Sequence, residues 1–160
     1  SGDPGVFAMA AAVLEALHES SDPAWQRVEL EILPGVSASL ATAAQAGAPL
    51  GHDFCVMSLS DNLKPWSIIE KRLDLACQAD LALAFYNPIS RSRPWQLGRA
   101  LEIVAQHWDN INDSRPLLTP DQVDMRAMVL IGSSTTCAFP RLGGGEWVYT
   151  PRWYGEKPLS

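Results

Sequence analysis

The sequence predicts an α/β fold organised as two domains. Short apolar segments with the composition of strands alternate with longer segments whose apolar residues recur at helical spacing, a pattern typical of parallel sheets joined by crossover helices. Turn-forming residues at 48–53 interrupt this alternation, and we place the domain boundary there. With 160 residues, of which 47% are apolar and 19% charged, the chain can bury a sizeable core.

The first predicted domain covers residues 1–47 and begins with a helix. Asp3 followed by Pro4 has the composition of a helix N-cap and a first helical residue. The apolar stripe expected on one face of this helix consists of Val6, Met9, Ala10, Val13 and Leu17. Residues 28–32 then alternate apolar and acidic side chains, which predicts a strand with one buried face.

A second helix of this domain is predicted over residues 40–46. Ser37 or Ser39 can cap its amino end, because a hydroxyl oxygen can accept a hydrogen bond from an unpaired amide of the first turn. Gly47 is expected to end the helix, since glycine readily adopts the left-handed conformation found at helix ends. Pro49 follows shortly afterwards and cannot continue the helix.

The second predicted domain covers residues 48–160. Its predicted strands lie at residues 54–59, 81–86, 128–131 and 146–150. Its predicted helices begin near Pro65 and near Leu97, and their buried stripes are Trp66, Ile69, Leu73 and Ala76, and Leu97, Leu101, Val104 and Trp108. Residues 109–124 have the composition of a polar loop. Because strands and helices alternate, we expect parallel pairing through right-handed crossovers.

Composition argues against several classes of protein. The net charge of −6 disfavours a nucleic-acid surface, because phosphate binding depends on clustered Lys and Arg. The three cysteines and three histidines lack the spacing of metal ligands, so we predict no metal site. No apolar run approaches the roughly 20 residues of a membrane span. The chain also opens without a signal-peptide pattern, and we therefore expect a cytoplasmic protein with no membrane partner.

Two segments combine turn residues with small side chains at places where ligands bind in open α/β sheets. Residues 1–7 contain glycines that let a ligand approach the backbone, and the Asp3 carboxylate suits ribose hydroxyls or a sulfonium cation better than phosphate. A simple capped turn is the alternative interpretation. Residues 33–39 again join a predicted strand to small residues and a helix, which alone is a weak signal.

A third segment, residues 85–93, carries an amide and two arginines after a predicted strand. Arg91 and Arg93 can pair with substrate carboxylates through two parallel hydrogen bonds each. They can equally be solvated charges of a loop, and the residues alone leave both interpretations open.

Taken in order, these segments resemble the tetrapyrrole methylases. Within that family, five further motifs are similar to the branch that methylates carbon 17 of precorrin-3B. They are Gly51-His52-Asp53-Phe54 through Ser58-Leu59-Ser60-Asp61; Pro65-Trp66 with Ile69 and Arg72-Leu73; Tyr86-Asn87-Pro88 with residues 90–93; Ile131-Gly132-Ser133-Ser134-Thr135; and Thr150-Pro151-Arg152-Trp153-Tyr154. The resemblance implies the two-domain α/β fold of class III methyltransferases, with S-adenosylmethionine bound between the domains.

The resemblance also implies roles for individual residues. The expected cofactor contacts are Gly2, Asp3, Val6, Phe7, Ser37, Ala38, Tyr86, Asn87, Thr150 and Pro151. Arg91, Arg93 and Arg152 are expected to bind the carboxylates of the tetrapyrrole. Carbon-17 methylation with ring contraction requires proton movement, for which Asp61 is the candidate; its alternative role is to cap the helix that begins near Pro65.

Two departures from the family pattern accompany the resemblance. The first strand and glycine-rich cofactor loop of the family would precede Ser1, so we expect the first domain to be largely truncated. Trp153 stands where a small residue is usual, which puts the surroundings of Arg152 in question. A homodimer is expected by analogy. The competing hypotheses are methylation of another tetrapyrrole carbon, a ribosomal RNA ribose methylase, which the acidic charge disfavours, and a non-catalytic scaffold module.

Overall fold

The structure is a computed structural model that describes residues 2–107 and 120–154. In this part of the chain there are four α-helices and two three-stranded sheets. The helices are α1 (Met9–Glu19), α2 (Ala38–Ala46), α3 (Trp66–Gln78) and α4 (Gln96–His107). The strands are β1 (Gly47–Ala48), β2 (Phe54–Ser58), β3 (Ala82–Tyr86), β4 (Val129–Ile131), β5 (Cys137–Pro140) and β6 (Glu146–Tyr149).

The main core lies between the β2-β3-β4 sheet and helices α3 and α4. Strands β2 and β3 pair in parallel, as predicted, whereas β4 pairs antiparallel to β3. The prediction of parallel pairing throughout is therefore wrong for β4, because a short apolar run indicates burial but carries no signal for direction. The fully enclosed core side chains include Leu59, Ile69, Leu73, Leu83, Phe85, Leu97 and Val104.

The second sheet has the order β1-β6-β5. Strand β6 confirms the prediction for residues 146–150, and it pairs in parallel with β1 and antiparallel with β5. Strands β1 and β5 were not predicted: β1 has two residues, and β5 ends in Pro140. Strand β1 lies at the predicted domain boundary and pairs with β6. The division into two domains at residue 48 stays a prediction.

Helix α2 follows the predicted capping pattern at both ends. Ser37 is its N-cap, and the Ser37 hydroxyl accepts a hydrogen bond from the Leu40 amide at 3.5 Å. Gly47 ends the helix with φ of 130°, a conformation that strains residues with a side chain. A Cβ atom at this position would also lie 2.5 Å from the Val148 carbonyl oxygen.

The amino-terminal segment departs from the sequence prediction in two respects. Helix α1 begins at Met9 instead of following Pro4, because the Asp3 carboxylate accepts a hydrogen bond from the Gly5 amide and closes a local turn. Residues 28–32 form no strand, and Val28 and Ile32 are 55% and 44% exposed. Alternation creates a buried face only when a neighbouring strand and a core are present, and no described strand pairs with this segment.

The predicted loop at residues 109–124 and the predicted stripe residue Trp108 lie largely outside the described residues. Where the description resumes, residues Pro120–Gln122 form a 3-10 turn. No helix within residues 2–107 or 120–154 is long and apolar enough to cross a membrane.

Candidate functional site

Two glycine-containing loops meet at the Asp3 carboxylate. Its Oδ1 accepts a hydrogen bond from the Gly5 amide at 2.8 Å, and its Oδ2 accepts one from the Gly35 amide at 3.1 Å. The approach is so close that a Cβ atom on Gly35 would lie 2.4 Å from the Gly2 carbonyl oxygen. The Gly2 backbone itself has φ of 91°. Asp3 therefore braces two predicted ligand loops against one another, across 32 residues of sequence.

A hydroxyl network joins the start of α2 to the end of β3. The Ser39 amide donates to the Tyr86 hydroxyl at 3.1 Å, and the buried Ser37 and Ser39 hydroxyls lie 3.0 Å apart. Burial raises the pKa of the Tyr86 phenol, but the hydrogen bonds with Ser39, together with those of Ser37 and the Ala38 amide, outweigh burial and leave the pKa below its ordinary value. The second predicted ligand loop and the carboxyl end of β3 therefore form one polar surface.

An aromatic pair adjoins this network. The rings of Phe7 and Tyr86 are tilted by 57° with centroids 5.1 Å apart, and Phe7 remains 54% exposed. Phe7 also has φ of 51°, a left-handed conformation that a non-glycine residue rarely adopts. Val6 is half-buried and Ala38 is exposed. The residues predicted to contact the cofactor near Gly2 and Ser37 thus surround an aromatic face open to a ligand.

Asn87 connects the carboxyl ends of the two parallel strands. Its side-chain amide donates to the Ser58 hydroxyl at 3.0 Å, and its backbone has φ of 49°. Ser58 and Tyr86 are paired in register at the ends of β2 and β3. This edge, from which the loops after both strands begin, is where ligands bind in parallel sheets.

Asp61, the candidate acid/base residue, is engaged in an ion pair. Its Oδ1 accepts hydrogen bonds from Arg93 Nη1 and from the Gln96 side-chain amide, the latter at 2.9 Å. Arg93 Nη2 donates to the Asn62 side-chain oxygen. The alternative interpretation of Asp61 as the cap of α3 is wrong, because that helix begins after Pro65 without a side-chain cap.

The three arginines predicted to bind substrate occupy different settings. Arg93 is paired with Asp61, whereas Arg91 and Arg152 are exposed and form no ion pair with another described residue. Arg91 lies on the loop that follows β3, close in sequence to Tyr86 and Asn87. Arg152 lies after β6 on the terminal described segment. Among the described residues, two of the three guanidinium groups therefore have no acidic partner.

Thr150 and Pro151 belong to a second cluster at the opposite end of α2. The buried Thr150 hydroxyl donates to the Pro49 carbonyl oxygen at 2.5 Å and lies 2.8 Å from the Thr136 hydroxyl. Its backbone amide donates to the Ala48 carbonyl oxygen at 3.0 Å. The nine residues of α2 separate this cluster from Ser37 by about 14 Å at the usual helical rise. The ten predicted cofactor residues therefore form two groups.

A third cluster was not found by sequence reasoning. Asp80, with φ of 54°, accepts hydrogen bonds from the Ser134 amide at 2.7 Å, from the Ser134 hydroxyl at 2.5 Å and from the Tyr154 hydroxyl. The Tyr154 ring also meets His52 edge-on with centroids 5.4 Å apart. Ser134 and Tyr154 lie in motifs that carry the family resemblance, but no sequence pattern linked them to Asp80. Within the described ranges, no group of three potential metal-binding side chains occurs.

Comparison with known proteins places this geometry in a family. Residues 1–116 match the sequence profile of the tetrapyrrole (corrin/porphyrin) methylases. The chain is 50% identical to a precorrin-3B C(17)-methyltransferase of Sinorhizobium, an alignment that covers 96% of this chain and 66% of the relative. It is 36% identical to a probable cobalt-factor III C(17)-methyltransferase of Salmonella typhimurium, over 96% of this chain and 67% of that protein.

A solved structure agrees with this placement. The crystal structure of the methyltransferase CobJ superposes on this chain with a TM-score of 0.80 at 47% sequence identity. The superposition covers 94% of this chain and 67% of the CobJ chain. The chain therefore belongs to the tetrapyrrole methylase family and has its α/β fold. It spans 66% of the length of the Sinorhizobium relative.

Proposed function

We propose that this chain acts in the transfer of a methyl group from S-adenosylmethionine to carbon 17 of precorrin-3B, with ring contraction, in cobalamin biosynthesis. The observation that carries the proposal is the 50% identity, over 96% of the chain, to a protein named as a precorrin-3B C(17)-methyltransferase. The methyltransferase structure that matches at 47% identity supports the same reaction class.

The surroundings of Phe7 and Tyr86 fit the proposed cofactor. An exposed aromatic face suits a stacked adenine, and nearby serine and tyrosine hydroxyls suit the polar groups of a nucleoside. The proposed contacts are Gly2, Asp3, Val6, Phe7, Ser37, Ala38, Tyr86, Asn87, Thr150 and Pro151. When bound, S-adenosylmethionine supplies a methyl group already activated by a sulfonium centre.

The task of the protein in such a reaction is alignment. The Asp3 brace and the Ser39–Tyr86 hydrogen bond fix two loops and a strand end relative to each other, so a ligand meets a preformed surface. Holding two reactants in line can lower the barrier by about 7–11 kcal/mol in favourable cases. The backbone strain at Phe7 and Asn87 is typical of segments shaped for a ligand.

Positive charge is proposed to select the substrate. A tetrapyrrole with many carboxylates is matched by guanidinium groups, and by resemblance to the family Arg91, Arg93 and Arg152 are the candidates for this role. Arg91 and Arg152 are exposed and are proposed to bind carboxylates directly, whereas the Arg93 guanidinium is held by its pair with Asp61. By resemblance to the family, Asp61 is the candidate for proton transfer during ring contraction, and its carboxylate is held by Arg93 and Gln96.

A second candidate is the corresponding reaction on cobalt-factor III, which the 36% identity to the Salmonella typhimurium relative favours. Methylation at another tetrapyrrole carbon and a non-catalytic role for this chain are the remaining alternatives. By analogy with the family we further propose a homodimer that works in the cytoplasm.

The test is incubation of this chain with S-adenosylmethionine and precorrin-3B, followed by mass spectrometry and NMR of the macrocycle. The proposal requires gain of one methyl group at carbon 17. Methylation elsewhere on the ring, or only of the cobalt-containing substrate, would replace it by the corresponding alternative. No methyl transfer, with S-adenosylhomocysteine binding intact, would contradict catalysis by this chain.

A further inference from the structure

A cluster of polar side chains connects the loop after β2 to the loop after β3. Both terminal nitrogens of Arg93 are engaged, one by Asp61 and the other by Asn62. The Gln96 side chain, in a residue only 2% exposed, donates to the same Asp61 oxygen at 2.9 Å. The Gln96 amide is buried and would be costly to leave without a partner. Its hydrogen bond therefore fixes the position of the Asp61 carboxylate.

Arg93 is also the last residue of a tight turn, which its backbone closes by pairing with Ser90. Its backbone amide donates to the Ser90 carbonyl oxygen at 3.1 Å, and the Ser90 amide donates back to the Arg93 carbonyl oxygen at 3.4 Å. These two bonds leave Arg91 and Ser92 as the tip of a two-residue turn, with the Ser90 and Ser92 hydroxyls 3.3 Å apart. Arg91 is exposed at this tip.

We propose that Asp61 is a positioning residue that holds Arg93 and thereby the Ser90–Arg93 turn, so that Arg91 is presented to a carboxylate of the tetrapyrrole. This inference rests on the proposed function and deepens it by separating the roles of the two neighbouring arginines. Arg93 has a structural partner on each terminal nitrogen, so it cannot also grip a substrate carboxylate bidentately without releasing them. Arg91 has no such partner among the described residues.

The same contacts disfavour proton transfer by Asp61. A general acid or base must reach the reacting atom within hydrogen-bond distance. The Oδ1 atom of Asp61 accepts from two donors, one of which is the Arg93 cation, so this carboxylate oxygen is occupied by residues of the protein itself. The role that these contacts support is to order the turn.

The test uses the full chain and its Asp61→Asn, Arg93→Ala and Arg91→Ala variants. Titration with uroporphyrin, a polycarboxylated macrocycle, should give a Kd about tenfold higher for each variant, the loss expected for one charged contact. The Kd for S-adenosylhomocysteine should not change. In methyl transfer to precorrin-3B, KM should rise for Asp61→Asn, while kcat and the pH profile of kcat stay as in the parent chain.

Two further variants separate positioning from general destabilisation. Asp61→Glu retains the charge and should recover part of the uroporphyrin affinity. The double variant Asp61→Asn/Arg93→Ala should be no weaker than either single variant, because the two residues act through each other. Glu70→Gln is the matched control: it removes a 2.8 Å ion pair between Glu70 on α3 and Arg99 on α4, and it should leave both affinities unchanged.

The outcomes that overturn the proposal are specific. A fall in kcat with a shifted pH profile and unchanged uroporphyrin affinity in Asp61→Asn would make Asp61 a proton-transfer residue. Additive losses in the double variant would show that Asp61 does not act through Arg93, and absence of uroporphyrin binding by the parent chain would remove the anion site altogether. If the parent chain binds uroporphyrin but transfers no methyl group, the proposed function fails while the binding series still tests the turn.

Discussion

The hydroxyl oxygen of Tyr86 accepts a hydrogen bond from the Ser39 backbone amide at 3.1 Å, which ties the carboxyl end of β3 to the first turn of α2. The two residues are 47 positions apart, on opposite sides of the predicted domain boundary. Because Phe7 packs on the same tyrosine ring, this one side chain contacts both the amino-terminal segment and the start of α2. The proposed cofactor surface thus depends on tertiary contacts with Tyr86.

Replacement of Tyr86 by Phe should lower the free energy of unfolding by about 1 kcal/mol, the usual net value of one hydrogen bond. It should also weaken binding of S-adenosylhomocysteine, because the Ser39 amide is left without its partner. Denaturant unfolding and calorimetric titration measure the two effects. Tyr149→Phe is the control, since that ring keeps its contact with Phe139; equal effects of both variants would contradict a special role for Tyr86.

Replacement of Gly35 by Ala should separate the loops that Asp3 joins. The new Cβ would lie 2.4 Å from the Gly2 carbonyl oxygen, a distance at which the backbone must move. We expect loss of the Asp3–Gly35 hydrogen bond and at least a tenfold weaker affinity for S-adenosylhomocysteine, in line with the loss of a charge-assisted contact. Val36→Ala, at a residue that is 68% exposed, is the neighbouring control and should bind normally.

The Asp80–Tyr154 contact predicts a pH dependence of stability. The hydrogen bond that the Tyr154 hydroxyl donates to Asp80 raises the pKa of Tyr154 to about 12. The stabilisation is therefore complete below the ordinary tyrosine pKa of about 10 and is lost as the pH rises through the folded value. Tyr154→Phe should remove this alkaline loss, although the effect is modest because Tyr154 is 57% exposed.

Asp80 contributes at the acidic end. Burial raises the pKa of its carboxyl, but hydrogen bonds from Ser134 and Tyr154 outweigh burial and leave the net pKa below the ordinary value. This stabilisation is present above the ordinary pKa of about 4 and is lost as the pH falls through the folded value. Unfolding measured from acidic to alkaline pH, for the parent chain and Asp80→Asn, should show the difference shrink in acid. A pH-independent difference would contradict the contact.

The core between the first sheet and its helices predicts a contrast along α3. Leu73→Ala should cost about 2–5 kcal/mol of stability, because this side chain is fully buried and its removal leaves a cavity. Leu75→Ala on the same helix should change stability by less than about 0.5 kcal/mol, since Leu75 is 52% exposed. Similar losses in chemical denaturation of the two variants would contradict burial of only one face of α3.

The sequence was informative wherever local signals and burial agree. The cap at Ser37, the glycine stop at Gly47 and the apolar runs of β2 and β3 each reflect a local physical constraint, and all are confirmed. The direction of β4 and the absence of a strand at residues 28–32 depend on neighbours that are distant in sequence. No local pattern can supply that information.

In the candidate site, too, local features were predicted whereas contacts between distant residues were not. Resemblance indicated which residues to consider, and the described geometry brings Asp3, Phe7, Ser37 and Tyr86 together. The pairing of Asp61 with Arg93 was not predicted, although both residues were singled out, because their contact spans 32 positions in sequence. Charged residues that are predicted to bind a ligand can equally form an ion pair with each other.

Calorimetric titration of this chain with S-adenosylhomocysteine tests the central claim most directly. If the loops at Gly2 and Gly35, the Ser39–Tyr86 contact and the exposed Phe7 ring form a cofactor surface, the titration will show one-to-one binding. Gly35→Ala will weaken this binding at least tenfold, and Val36→Ala will leave it unchanged. Absence of binding by the folded parent chain, or binding that Gly35→Ala leaves unchanged, would contradict the claim that this surface holds the cofactor.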